Sequence, residues 1–142
     1  MSKIAVCAFA AAFLGLAGAA SAESPRPADA RLYFIEPANG AVIDGKVIVK
    51  FGLSGMDASK ANIGHRHLLI DVDPPSGAML NRPMPHDSHM RHLGGGQAGT
   101  AIDLPPGKHS LQLIVGDSDN VPHDPPLMSQ RIEIEVKEPP QP

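Results

Sequence analysis

Apolar and polar residues alternate along several short stretches of this chain, whereas no window shows a sustained helical period. In residues 131–136, for example, Ile132, Ile134 and Val136 alternate with charged residues. Alternation of this kind turns one face of a strand inward and leaves the other in water. The predicted strands are residues 31–36, 46–54, 65–73, 100–104, 109–116 and 131–136.

Clusters of Gly, Pro, Asn and Asp lie between the predicted strands and mark turns, at residues 37–40, 44–45, 73–75, 105–107 and 117–126. Six to seven short strands with such turns in about 110 residues are typical of an immunoglobulin-like β-sandwich. We therefore predict an all-β fold, a single antiparallel β-sandwich domain of Greek-key type over residues 31–137. Residues 23–30 and the Pro-rich tail 138–142 are expected to be flexible ends.

One stretch, residues 74–98, does not show the strand pattern. It contains four prolines, three histidines and the run Gly94-Gly95-Gly96. Loops of this length inside a compact domain are usually functional or disordered. The histidines favour a functional loop.

Composition agrees with one sandwich domain. The 142 residues include 15 Pro and 14 Gly, without a period, which argues against a helix bundle, a coiled coil and collagen. Hydrophobic residues make up 42% of the chain but aromatic residues only 4%, so the core must be aliphatic. The net charge of −3 and the lack of a basic patch give no reason to expect a nucleic-acid partner.

The first 22 residues have the pattern of a secretory signal peptide. Lys3 precedes an apolar run from Ile4 to Ala20, and Ala20-Ser21-Ala22 is a small-x-small cleavage site. We predict cleavage after Ala22 and a periplasmic or secreted protein with no remaining membrane span. The single cysteine, Cys7, would be removed, so any metal site must use His, carboxylate or Met.

The seven histidines are the compositional feature that points to chemistry. His65 and His67 lie two apart on a predicted strand, so they share a face at about 7 Å and can converge on one ion. Asp71 shares that face and is expected to orient one of the two imidazoles. The alternative is that this face is simply solvated and polar.

Three further histidines, His86, His89 and His92, recur every third residue. A 3₁₀ turn or a polyproline II segment would align them on one side, and we expect a ligand role for at least one. The alternative is an exposed polar loop in which histidine is only tolerated. His123 lies in a stiff Pro-rich turn that suits a ligand and equally an ordinary connection. His109 shares a face with core residues and is predicted to be structural.

The predicted metal ligands are therefore His65, His67, His86, His89, His92 and His123. Histidine with nearby Met in an oxidising compartment indicates copper first and zinc second. The Met residues that follow residue 22 are equally consistent with packing. They are Met56, Met79, Met84, Met90 and Met128.

Four motifs together resemble a family of small exported bacterial proteins classed as a domain of unknown function. They read G-H-R-H-L-L-I-D at 64–71, H-L-G-G-G-Q at 92–97, P-G-K-H-S-L-Q-L at 106–113 and G-D-S-D-N-V-P-H-D-P-P at 116–126. The family pattern differs at three positions, with His at Arg66, Phe at Leu93 and His at Asn120. Arg66 is expected to face the core, which leaves the His65/His67 pair intact, whereas Asn120 removes a ligand beside His123. The resemblance implies the compartment and the motif positions, and no activity.

Three functions compete at this stage. The leading one is a non-catalytic periplasmic copper carrier or buffer that uses His65, His67 and a histidine of the 86–92 loop. The second is an envelope interaction module whose polar His-rich face contacts a periplasmic protein, glycan or anion and senses pH. The third is an enzyme: the His-x-His strand faintly resembles copper–zinc superoxide dismutase, but that family's disulfide and Arg-bearing active-site loop have no counterpart here.

Overall fold

The computed structural model describes residues 25–56, 65–94 and 96–141, so the predicted signal peptide, residues 1–22, lies outside the described residues. The strands are β1 (Arg31–Glu36), β2 (Val42–Ile43), β3 (Val47–Ser54), β4 (Arg66–Ile70), β5 (Met90–Leu93), β6 (Gly99–Ile102), β7 (Gly107–Gly116), β8 (Pro122–Met128) and β9 (Ile132–Val136). A single 3₁₀ helix, Gly77–Asn81, accompanies them in this described part. Within the same ranges, no helix has the length and apolar character needed to cross a membrane.

The strands form two sheets. One is three-stranded in the order β1-β3-β6, and the other runs β2-β9-β7-β4-β5, with β8 paired to β7. Strands that are not consecutive in sequence lie side by side in both sheets, as Greek-key connections require. The fold is therefore an all-β, immunoglobulin-like β-sandwich, as predicted.

The two sheets share one aliphatic core. Val47, Val49 and Phe51 of β3 contribute to it from one sheet, and Leu68 of β4 and Leu113 of β7 from the other. These side chains come from alternate positions of their strands, which is why alternation in the sequence located them. Arg66 lies on the same side of β4, with its guanidinium 5.9 Å from the centre of the Phe51 ring, so its predicted core-facing orientation is confirmed.

Three strands, β2, β5 and β8, were not predicted from the sequence, and each omission has a physical reason. β2 has only two residues and pairs parallel to β9, an exception to the antiparallel pattern. β5 is an edge strand inside the predicted long loop. β8 contains three prolines, but its ladder with β7 is interrupted between Pro122 and Leu127, so Pro125 and Pro126 lie where no partner hydrogen bond is needed.

The segment before β1 contacts the sandwich. Pro25 forms a parallel bridge with Asp124, Arg26 donates a hydrogen bond to the Pro125 carbonyl, and Ala30 is buried in the main core. The described part of the segment 23–30 is therefore packed against β8.

The outer face of the larger sheet carries a second, smaller core. Leu69 of β4 and Ile114 of β7 pack there with Met90 of β5, and Met84 covers them from the loop that precedes β5. The Met84 N–H donates to the Asn120 carbonyl, which fixes this loop to the turn between β7 and β8. This outer face also carries the histidines of interest.

Candidate functional site

Four histidines meet at one end of this outer face, and we call them the His cluster: His65, His67, His86 and His92. The ring of His92 is central, with centroid distances of 4.3 Å to His65, 5.1 Å to His67 and 6.2 Å to His86. His67 is fully buried, His65 and His92 are half-buried, and His86 is exposed. The cluster thus runs from the protein interior to solvent.

The pairing of β4 with β5 brings His67 and His92 together. The two residues are directly opposite in the antiparallel ladder. Because the Ile70 N–H donates to the His89 carbonyl, the hydrogen-bonded pairs alternate so that His67 and His92 form a non-hydrogen-bonded pair. Side chains approach most closely in such pairs, which accounts for the stacked rings at an interplanar angle of 18°.

His65 and His92 share a hydrogen bond between two imidazole nitrogens. His65 Nδ1 lies 2.6 Å from His92 Nε2, so one nitrogen donates and the other accepts. Among the described residues no hydrogen bond or ion pair joins an acidic side chain to His65, His67 or His92, and Asp87 interacts with His86 through its charge. Burial, followed by the charges of His65 and His86, holds the pKa of His92 below its usual value. The His92 imidazole is therefore neutral near pH 7.

His67 has one satisfied ring nitrogen and one that is not. Its Nε2 lies 3.1 Å from Asn120 Oδ1. Its Nδ1 is buried and has no hydrogen-bond partner among the described residues. Burial lowers the pKa of His67, and the neighbouring His92, His65 and His86 lower it further, against the opposing effect of the Asn120 hydrogen bond. His67 is a neutral imidazole held inside the fold.

Two of the predicted ligands lie away from the cluster. His89 Nδ1 is 3.1 Å from the Ile70 carbonyl oxygen, so the predicted alignment of His86, His89 and His92 on one side is wrong for His89. The cause is that residues 90–93 are a strand rather than a three-residue helical repeat. His123 is buried on β8 beside a cavity of about 220 Å³ that Leu80 and Asn81 also line.

Asp71 does not orient His65 or His67, which corrects that prediction. Its Oδ2 accepts a 2.7 Å hydrogen bond from His109 Nδ1, and its Oδ1 accepts one from the Ser110 N–H. Asp71 has left the strand by then, with φ of 58°, so strand alternation no longer applies to it. His109 has a structural role as predicted, but as an ion-pair partner rather than as part of the apolar core.

Two methionines near the cluster are packing residues. Met84 and Met90 are both buried in the second core with Leu69 and Ile114. Their side chains therefore fill this apolar core. The donors available at the surface of the cluster are imidazole nitrogens.

The cluster has the right atoms for a metal ion but not, as it stands, the arrangement of a metal centre. Among the described residues, no three His, Asp or Glu side chains are placed to hold an ion. Nitrogens bound tetrahedrally at about 2.0–2.1 Å from an ion lie roughly 3.3 Å apart. His65 Nδ1 and His92 Nε2 are only 2.6 Å apart and share a proton. To bind one ion together, the two nitrogens must move slightly apart.

The sequence did not point to Asn120 as a partner of His67. The two residues are 53 positions apart, and Asn120 reaches His67 only because the turn after β7 folds back over the sheet. Asn120 has φ of 65°, the left-handed conformation that Asn tolerates better than most residues. The Asp-Ser-Asp-Asn composition indicates a turn but not what the turn contacts.

Comparison with known proteins supports the fold. Fibronectin(III)-like modules of Clostridium thermocellum CbhA align over 78% of this chain and 99% of theirs, with a TM-score of 0.52 and 10% identity. The endo-β-1,4-mannanase from Thermotoga petrophila aligns over 78% of this chain at a TM-score of 0.48 and 18% identity. This chain covers only 20% of the mannanase chain. No curated protein matches the chain in sequence.

One family matches through its sequence model. The match extends over residues 49–137, which include β4, β5 and β7 and all seven histidines. The chain belongs to the family described as Domain of unknown function (DUF4399).

Proposed function

We propose that this protein is an exported, non-catalytic metal-binding β-sandwich that carries or buffers copper at the His cluster. The observation that carries the proposal is the set of imidazoles around His92, above all the His65 Nδ1···His92 Nε2 contact of 2.6 Å. Metal ions bind neutral imidazole through a lone pair. A metal cation can therefore replace the proton that two imidazoles share.

The chemistry of the cluster supports copper. Imidazole nitrogen is a good ligand for Cu(II), and at a given site copper binds more tightly than zinc. The absence of carboxylate contacts within the described part of the cluster disfavours Mg²⁺ and Ca²⁺, which prefer oxygen ligands. Zinc is the second choice because it also accepts imidazole. Binding includes a small separation of His65 Nδ1 and His92 Nε2, which lie 2.6 Å apart.

The gradient of exposure supports reversible binding. His86 is exposed and His92 half-buried, so an ion enters from solvent without opening the sandwich. The strands that carry His67 and His92 are fixed by two ladders, β4–β5 and β4–β7, and the His65 carbonyl accepts from the Gly116 N–H, so most of the site is preformed. The N-terminal pattern of residues 1–22 supports export to the periplasm.

The test is a competition titration of the chain from residue 23 with Cu(II) against a chelator of known affinity. Removing a residue that only orients a metal ligand lowers the affinity by up to about 100-fold. His65→Ala/His92→Ala removes two ligands and should therefore lower the affinity by more than that. His89→Ala is the matched control, because His89 lies in the same segment and contacts Ile70 instead of the cluster.

The proposal fails if the double variant, still folded, binds Cu(II) as tightly as the unmutated protein. An unchanged nitrogen hyperfine pattern in its Cu(II) electron paramagnetic resonance spectrum would lead to the same conclusion. A metal-free protein purified from copper-replete periplasm, retaining a specific partner, would instead favour the interaction module.

A further inference from the structure

We propose that Asn120 is a positioning residue that keeps the proton of His67 on Nε2 and so makes Nδ1 the metal-binding atom of that ring. The role of Nδ1 in metal binding rests on the proposed function, whereas the tautomer of His67 is a property of the metal-free protein. It names which nitrogen of the buried imidazole is used and which residue selects it.

The hydrogen bond defines the tautomer. Asn120 Oδ1 is an amide oxygen and only accepts, so the 3.1 Å contact requires a proton on His67 Nε2. A neutral imidazole carries one proton, so Nδ1 holds the lone pair. This lone pair is fully buried and has no hydrogen-bond donor among the described residues.

An unsatisfied buried acceptor is costly, and proteins seldom leave one without a reason. Nδ1 of His67 is such an atom on a ring that is 0% exposed and stacked on the His92 imidazole. A histidine retained only for packing at this position would gain from a second partner or from replacement by an apolar residue. A lone pair kept free of protein donors is what a metal ion requires.

Asn120 is held tightly enough to act in this way. Its N–H donates to the Asp117 carbonyl, and its own carbonyl accepts from the Met84 N–H. The Asp117 Oδ1 accepts from the N–H groups of Asp119 and Val121 on either side. The turn is also packed against β7, because a Cβ on Gly116 would lie 2.8 Å from Met84 Cε and 3.1 Å from the Asn120 carbonyl carbon.

Two contacts together fix the orientation of the His67 ring. Stacking on His92 fixes the plane of the His67 ring, and Asn120 fixes the rotation within that plane. The two contacts together determine where Nδ1 points before any ion arrives. Outer residues that orient a ligand imidazole in this way typically change metal affinity by 10–100-fold when removed.

Two substitutions separate this role from a structural one. Asn120→Gly removes the acceptor and suits the left-handed backbone, whereas Asn120→Asp keeps an acceptor and tolerates the same φ. Both variants preserve the turn, so a difference between them reports the side chain. Circular dichroism and urea denaturation verify that each is folded.

The first measurement is the ¹⁵N chemical shifts of His67 in metal-free protein with labelled histidine. We expect a protonated Nε2 and an unprotonated Nδ1 in the unmutated protein and in Asn120→Asp, and a mixture of tautomers in Asn120→Gly. A proton on Nδ1 in the unmutated protein would overturn the tautomer assignment, whether or not the protein binds metal.

The second measurement is metal affinity and the identity of the bound nitrogen, with Zn²⁺ as the diamagnetic probe for the spectra and Cu(II) for the titration. Asn120→Gly should lower Cu(II) affinity by about 10-fold while Asn120→Asp retains it. If both variants bind as the unmutated protein does while His65→Ala/His92→Ala does not, the cluster is the metal site but Asn120 does not position it. If the unmutated protein binds no metal, the proposed function fails and only the tautomer result stands.

Discussion

Two histidine environments in this molecule show how partners decide what an imidazole can do. His109 has an acceptor on each ring nitrogen, Asp71 Oδ2 and the Pro105 carbonyl oxygen, both at 2.7 Å. Two acceptors require two protons, so His109 is a cation. The His cluster has no carboxylate contact among the described residues, and His65 and His92 share a hydrogen bond with each other.

The pKa shifts of the two environments are opposite. Burial opposes the charged form of His109, but the hydrogen bonds to Asp71 and Pro105 and the charge of Asp71 raise its pKa. Burial and neighbouring imidazoles lower the pKa of His67 and His92. One environment therefore uses histidine as a cation that links β7 to the end of β4, and the other keeps lone pairs available. Counting histidines in a sequence cannot make this distinction, because it depends on the partners that the fold supplies.

The largest expected difference between the two environments is their response to metal. At free Cu(II) 100 times the dissociation constant, binding should stabilise the unmutated protein by about 2.7 kcal/mol. Urea denaturation at pH 7 with and without buffered Cu(II) measures this gain. His65→Ala/His92→Ala removes two of the proposed ligands and should lose this stabilisation, so that its metal-free and metal-treated curves coincide.

Asp71→Asn is the control for that measurement. It alters the other histidine environment and should show the same stabilisation by Cu(II) as the unmutated protein. A loss of the copper response in this variant would mean that the two environments are not independent, and that metal binding involves His109.

The second effect in size is the loss of the His109 ion pair. Asp71→Asn removes the charge but keeps an oxygen for the Ser110 N–H and a residue type that tolerates φ of 58°. We expect a decrease of about 1 kcal/mol in the free energy of unfolding at pH 6, because hydrogen bonds to charged groups are strong but the carboxylate is partly exposed. Urea denaturation gives the value.

Asp73→Asn is the matched control two residues away. Asp73 pairs with Arg131 at 2.7 Å, but its side chain is 91% exposed. Exposed pairs contribute little, so this change should be close to neutral. Equal effects of the two substitutions would contradict the view that burial beside His109 gives Asp71 its importance.

The strands that bury one face could be predicted from the sequence. β1 coincides with the predicted residues 31–36, and β9 begins one residue after the predicted start of 131. In these strands one set of side chains meets the shared core and the other meets water, so alternation is visible. β5 was missed because it is a four-residue edge strand whose Met90 packs on the outer face while Leu93 reaches the main core.

The site could be predicted only in part. The shared face of His65 and His67 follows from strand spacing, and both rings do contact His92. The register that places His92 opposite His67, and the turn that brings Asn120 to the same ring, depend on tertiary packing. Asp71 was misassigned because it lies just beyond the strand whose alternation was used to place it, and His89 because residues 90–93 form a strand rather than a three-residue repeat.

The smallest expected effect is the pH dependence of the metal-free protein, and it tests the comparison most directly. Burial holds the pKa of His67 and His92 in the folded state below the ordinary value of 6.5. Below pH 6.5 the unfolded chain therefore binds more protons, and stability falls as pH falls. The pKa of His109 is raised, so its contribution is complete below pH 6.5 and is lost as pH rises through its folded pKa. Asp71 has a lowered pKa and stays ionised between pH 5 and 8.

The cluster histidines lower the stability only below pH 6.5, and His109 lowers it only above pH 6.5. The contributions together predict a stability maximum near pH 6.5 in urea denaturation. Asp71→Asn should remove the decline on the alkaline side and His65→Ala/His92→Ala should weaken the decline on the acid side. If either variant altered the opposite side instead, the assignment of charge to His109 and of neutral imidazoles to His67 and His92 would be wrong.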